Sequence, residues 1–180
     1  MVYVFLADGF EETEAVAPID MLRRAGKEVV TVGVTGKTVT GSHGIQVTAD
    51  ITESELKDIS GTEMIVLPGG MTGTLIEEAS AAVQSAIGYC STKNIPIGAI
   101  SAEPSILGHK GLLEGRNAVC YAGFEKDLKG AVIGTEGVVT DGNITTARGA
   151  GAAIEFGLEL VRVLCGKAES DRIRASILCD

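Results

Sequence analysis

An α/β fold with a mostly parallel central sheet and helices on both faces is predicted by three features of the chain. Short apolar runs of strand length alternate with segments of helical period, beginning with Val2 to Ala7 and then Glu12 to Ala25. The runs are apolar at consecutive positions, which marks strands covered on both faces. Glycine-bearing turns close them, as Asp8-Gly9 and Pro68-Gly69-Gly70 do. Strand–helix alternation joined by right-handed crossovers leaves few other topologies, and three layers are the expectation.

In chain order, Val2 to Ala7 is the first strand. Ala15, Val16, Ile19, Met21 and Leu22 then recur at helical spacing, and Gly26 is placed to end that helix. Glu28 to Val34 is a second strand. Between Lys37 and Thr48, alternating β-branched residues flank Thr40-Gly41-Ser42-His43-Gly44, which reads as a small hairpin appended to the main sheet. A short helix over Glu53 to Ile59 returns the chain to a buried strand at Glu63 to Leu67. The Pro68 to Gly73 turn precedes a helix across Glu77 to Cys90. Ile95 to Ile100 is a further strand, and Ser101-Ala102-Glu103-Pro104 opens a helix, proline being tolerated only in a first turn. Short strands follow near Asn117 to Cys120, Ala131 to Ile133, Val138 to Thr140 and Ile144 to Ala147. Helices over Ala150 to Leu164 and Ala168 to Leu178 close a single domain spanning residues 1–180.

Composition removes several function classes. Of 180 residues, 45% are apolar and 22% charged, enough to bury one sizeable core. The net charge of −9 repels phosphate backbones and anionic lipid, so neither nucleic acid nor membrane is an expected partner. The longest apolar runs fall far short of the roughly 18 residues of a membrane helix. No secretory leader is legible at the N-terminus, and a cytoplasmic location is expected. Cys90, Cys120, Cys165 and Cys179 show neither C-x-x-C nor metal-ligand spacing. They read as reduced, buried, small hydrophobes, and no metal or other cofactor is expected.

In a sheet of this kind ligands collect beyond the carboxyl ends of the strands. That rim gathers Asp8 to Glu14, Gly69 to Thr72, Ser101 to Glu103 and Ala147 to Ala150. Ser101 is the leading candidate because a residue ending a buried strand at a helix start is exposed to unpaired amides. The Ala102 and Gly70 amides are candidate oxyanion donors, since glycine lets a reacting carbonyl approach the main chain. The same serine also suits a plain helix cap. A serine nucleophile needs a base. His109 lies eight residues along the helix that Ser101 opens, about 12 Å up its axis, and is too distant. His43 reaches the rim only if the hairpin folds over it or a second subunit delivers it. Glu14, with Glu11 and Glu12, opens the first helix, and Glu103 lies two residues past Ser101; both are candidate acid/base groups. A carboxylate is a weak base toward an alcohol unless burial raises it. Arg148 is a candidate anion clamp or a surface ion-pair partner. Neither dinucleotide nor P-loop glycine patterns occur, so nucleotide binding is not expected.

Ala7-Asp8-Gly9-Phe10-Glu11-Glu12 with Glu14, Asp20-Met21-Leu22-Arg23-Arg24-Ala25-Gly26, Leu67-Pro68-Gly69-Gly70, Ile100-Ser101-Ala102, Cys120-Tyr121 and Arg148-Gly149 together resemble the ThiJ/PfpI superfamily over nearly the whole chain. That group includes relatives described as glyoxalases, deglycases, chaperones and proteases. The resemblance implies a flavodoxin-like sandwich, often a homodimer, with Glu14 hydrogen-bonded to the nucleophile and Gly70 and Ala102 as oxyanion donors. A small-molecule substrate pocket is expected around Thr72, Tyr121, Ala122, Arg148 and Ala150, with His43 joining it if the hairpin or a second subunit brings it there.

Departures from the pattern cluster at that pocket. A low-pKa cysteine is usual where Ser101 stands, and the serine is neither oxidisable nor acidic. Glu103 replaces a small residue, and Thr72, Ala122 and Ala150 stand where proline is frequent. Such clustering on an otherwise typical scaffold is expected of a remodelled site, whether engineered or natural. Three functions compete: a serine-type hydrolase or acyl-transfer enzyme, a catalytically silent binding module, and a proton-transfer enzyme using Glu103.

Overall fold

The computed structural model describes residues 1–179. Strand β1 (Val2–Leu6) leads into helix α1 (Glu12–Arg24) and then β2 (Val29–Gly33). Strands β3 (Thr38–Thr40) and β4 (Gln46–Thr48) precede β5 (Ile51–Thr52), β6 (Met64–Leu67), α2 (Met71–Ala79), α3 (Ala81–Lys93), β7 (Ile97–Ile100) and α4 (Pro104–His109). The chain continues through β8 (Asn117–Ala118), β9 (Val132–Ile133), β10 (Val138–Asp141), β11 (Ile144–Ala147), α5 (Ala153–Cys165) and α6 (Lys167–Ser176).

The main sheet has seven strands in the order β10-β11-β7-β6-β1-β2-β5. Only β10 runs antiparallel to its neighbour; the rest pair in parallel, as the α/β reading required. Period-two alternation divides each apolar strand between the faces. Val2, Val4 and Leu6 pack with Leu22 of α1, Phe156 and Leu160 of α5, and Ile173 of α6. Tyr3 and Phe5 face the opposite core, with Val83 and Ile87 of α3 and Ile106 and Leu107 of α4. The strands are therefore apolar throughout because both faces are covered.

Several local expectations are corrected. The helix read over Glu77 to Cys90 is two helices, because Ser80 adopts an extended backbone and its hydroxyl accepts from the Val83 amide as the N-cap of α3. The segment from Glu53 makes one 3-10 turn ending at Glu55, stabilised by the Glu55 carboxylate accepting from the Thr52 amide at 2.7 Å. The hairpin pairs only with itself as a separate sheet, and β5 takes the edge beside β2 instead. A 3-10 turn over Ala150–Ala152 precedes α5, so that helix begins later than its apolar period suggests. Cys90 and Cys120 are buried, whereas Cys165 and Cys179 are only partly covered, correcting the reading of all four as core residues. No helix among the described residues is long and apolar enough to cross a membrane.

Helices α1 and α5 pack face to face at Gly157. A Cβ there would lie 2.9 Å from the Pro18 backbone and 2.8 Å from the Met21 side chain. Gly157→Ala is expected to push α1 off α5 and cost about 1–3 kcal/mol of stability, measured by urea denaturation.

Candidate functional site

Ser101 ends interior strand β7 in a left-handed conformation, with φ of 67°. That geometry costs a non-glycine residue about 1–3 kcal/mol and persists only when surrounding contacts hold it. Here two do: the Ser101 amide donates to the Ala147 carbonyl at 2.9 Å, and its carbonyl accepts from the Tyr121 amide at 2.8 Å. The side chain is thereby turned out of the sheet plane into the rim.

Glu14 meets it there. Glu14 is 1% exposed and its carboxylate accepts from the Gly69 amide at 2.9 Å, with the Ser101 hydroxyl and the Ala150 amide close by. Burial, then the nearby Glu11 charge, push the Glu14 carboxyl up to about 7, while the Gly69 amide and the neighbouring Ser101 hydroxyl and Ala150 amide hold it lower than burial alone would. Ser101 is not the cap of the helix it precedes; the N-cap of α4 is Glu103, whose side chain makes no cap bond.

Glycine permits this approach. A Cβ on Gly69 would fall 2.5 Å from both Glu14 Oε2 and Ser101 Cβ. Gly70 adopts φ of 118°, and a Cβ there would overlap the Gly9 carbonyl. Among the described residues no backbone carbonyl accepts from the Gly70 or Ala102 amide outside the regular elements, so both remain available to a ligand.

A cleft of about 760 Å³ opens over these groups, and its wall includes Ser101, Glu14, Gly70, Ala102, Thr72, Tyr121, Ala150 and His43. The hairpin supplies His43 within the same chain. It is tied across the rim by the Gly9 amide on the Thr40 carbonyl, the Ser42 amide on the Phe10 carbonyl and the Thr40 amide on Asp8 Oδ1, each at 2.8 Å. Buried Glu12 anchors the tip, accepting from the His43 amide at 2.7 Å with its second oxygen 2.8 Å from His43 Nδ1. Burial works against its charge, yet hydrogen bonds from the His43 ring and from loop amides bring Glu12 down to about 2, and Glu12 in turn raises His43. Sequence reasoning missed this organising role of Glu12. The combination of an acid at a helix start and a polar turn with one histidine was its only signal.

Three expected residues lie elsewhere. Arg148 and Ala122 line a shallow neighbouring depression, and the Arg148 guanidinium donates to the Thr135 carbonyl at 3.3 Å. Glu103 has no exposed surface and does not line the cleft, which removes it as a base in contact with substrate. His109 sits at the far end of α4 against Glu78, 2.5 Å from its carboxylate. No thiol joins the cleft wall, and burial pushes Cys90 up to about 12 and Cys120 up to about 11, so both are inert as nucleophiles.

A left-handed residue ending an interior parallel strand, faced by a buried carboxyl and backed by a Gly-Gly turn, defines an elbow-type α/β protein. The chain belongs to the DJ-1/PfpI family, whose pattern matches residues 1–163. It is 31% identical to the protein dj-1beta of Drosophila melanogaster over 178 residues, covering 97% of this chain and 95% of that one. The DJ-1 homolog B of Arabidopsis thaliana is 34% identical over 98% of this chain, which spans only 41% of the plant protein. A second Arabidopsis relative, homolog A, is likewise matched over less than half its length, 46%. In three dimensions the fold matches the oxidised DJ-1 of Toxoplasma gondii with a TM-score of 0.93, at 37% identity over 98% of this chain and 97% of that one.

Gly69→Ala is expected to cost about 1–3 kcal/mol in thermal melts through the clash with Glu14 and Ser101. Combining it with Glu14→Ala should recover part of that loss, a coupling that a double-mutant cycle measures.

Proposed function

We propose that this chain is a serine-type hydrolase or acyl-transfer enzyme on the DJ-1/PfpI scaffold, acting on a small activated ester. The observation that carries the reading is the placement of Ser101 beside a buried Glu14 across the Gly69 backbone, with the Glu14 carboxyl raised to about 7. Ser101 attacks the ester carbonyl carbon and its proton passes to Glu14. A base titrating near neutrality is matched to that transfer, whereas a surface carboxylate is not. The tetrahedral oxyanion is received by the Gly70 and Ala102 amides. Collapse expels the alkoxide, which takes the proton back from Glu14, and water repeats the sequence on the acyl-serine. Thr72, Tyr121, Ala150 and His43 form the walls that select the acyl and leaving groups.

The reading includes a homodimer, as the family resemblance implies. Exposed Val16 and Ile154, on adjoining helices α1 and α5, are apolar surface that a second copy would cover. Sedimentation equilibrium measures this directly. The competing reading is a binding module without turnover. It is favoured by the engagement of both histidines elsewhere, His43 with Glu12 and His109 with Glu78.

A fluorophosphonate probe distinguishes the two. Labelling confined to Ser101 and abolished by Ser101→Ala is expected; a chain that stays unlabelled over long incubation is the binding module. Because the ionised form of Glu14 is the base, the labelling rate should rise with pH through about 7. Glu14→Gln should flatten that limb and slow labelling by about 10²-fold.

A further inference from the structure

On the interior side of the elbow lies a group of oxygens that this chemistry does not use. Glu77 of α2 and Glu103, the residue before α4, have no exposed surface. None of their four carboxyl oxygens has a hydrogen-bond partner of good geometry, and neither does the buried Thr74 hydroxyl one turn before Glu77. The Ala7 amide at the end of β1 approaches Glu77, and the Thr74 hydroxyl approaches Glu103, each short of good bonding geometry. Neither glutamate lines the Ser101 cleft.

Two ionised carboxylates cannot stay adjacent in a dry interior without a compensating charge. The charged groups facing the pair are acids. Glu77 feels the Glu103 charge, Glu103 feels Glu14 from α1 and Glu78 from α2, and no cationic side chain among the described residues contributes. Glu78 is occupied by His109. Protonation of both resolves the conflict, because a neutral carboxyl sheds its charge and gains an O–H donor.

We propose that Glu77 and Glu103 are a proton-holding acid pair that clamps α2, the end of β1 and the start of α4 together beneath the elbow. Burial, and then the Glu103 charge, drive Glu77 well above the carboxylate range. Burial raises Glu103 to about 8, aided by the charges of Glu14 and Glu78 and opposed by the Thr74 hydroxyl. The clamp reaches both ends of the rim, since Glu77 shares a helix with the Gly70 turn and Glu103 follows Ser101 by two residues. Glu103 is then a positioning residue that never touches substrate.

Both acids have folded-state values above their unfolded ones, so the native chain binds extra protons. The stability they contribute is full below about 4.5 and is lost as pH rises through about 8. The consequence for turnover rests on the serine-enzyme reading: labelling should rise through about 7 with Glu14 and fall above about 8 as the clamp ionises.

Infrared spectroscopy tests the pair without touching it. In a Glu14→Gln chain carrying carbon-13 glutamate, a protonated carboxyl stretch is expected at pH 7 and should disappear in the added Glu77→Gln and Glu103→Gln background. Absence of that band at pH 7 overturns the proposal, since another positive group must then neutralise the pair. Urea midpoints between pH 5 and 9 give a second arm. The wild-type fall should become shallower when both are glutamine, leaving the share due to Glu14, and an unchanged slope overturns the clamp. In the same double variant the fall in labelling above pH 8, about tenfold per pH unit, should be absent. A chain that shows the carboxyl band yet resists fluorophosphonate keeps the acid pair and loses the serine enzyme.

Discussion

A carboxyl group with 1% of its surface exposed joins four segments of this chain at one point. Glu14 leaves α1, accepts from the Gly69 amide at the end of β6, and lies beside the Ser101 hydroxyl at the end of β7 and the Ala150 amide before α5. Everything in the cleft is positioned with respect to that contact. It forms because Gly69 has no Cβ to occupy the space between Glu14 and Ser101, and because Ser101 accepts a left-handed backbone pinned on both sides. Replacing water by one bonded amide and two nearby donors leaves the carboxylate partly compensated, which is why it is raised to about 7 and no further.

Three glutamates within one helical turn meet three different ends. Glu11 turns back to accept from the Glu14 amide at 2.8 Å and caps α1. Glu12 is satisfied by the hairpin tip and stays ionised, so it works as an anchor. Glu14 has donors but no cation and is raised. Residue type is constant across the three, and the partner supplied by the surrounding fold decides the chemistry.

The same principle separates the rim from the layer beneath it. At the rim, acids face amides, a hydroxyl and a histidine, and each arrangement leaves a group able to bind or exchange a proton. Beneath it, Glu77 and Glu103 are fully buried with carboxyl oxygens that have no hydrogen-bond partner, where the stable answer is neutrality. A chain of net charge −9 thus carries some of its acids in places where their formal charge is not expressed. The hairpin shows a related economy of position: it adds nothing to the main sheet, yet it brings a histidine to the cleft from the same chain.

The sheet, its parallel sense and the elbow at Ser101 were legible in the sequence because they depend on local pattern. Consecutive apolar residues demand two covered faces, and a strand running into Ser-Ala-Glu-Pro demands a sharp turn. Short-range chemistry was legible in part: the Ser80 cap that divides α2 from α3 is a one-residue event inside a continuous apolar period, and periodicity does not register it. Glu103 read as a rim acid because it stands two residues from Ser101, but helical rotation turns its side chain into the core. Only tertiary structure decided that, along with the burial of Glu77 and the descent of His43 onto Glu12. Sequence spacing orders residues along elements; which side chains meet, and how much water they lose, is fixed by how those elements pack.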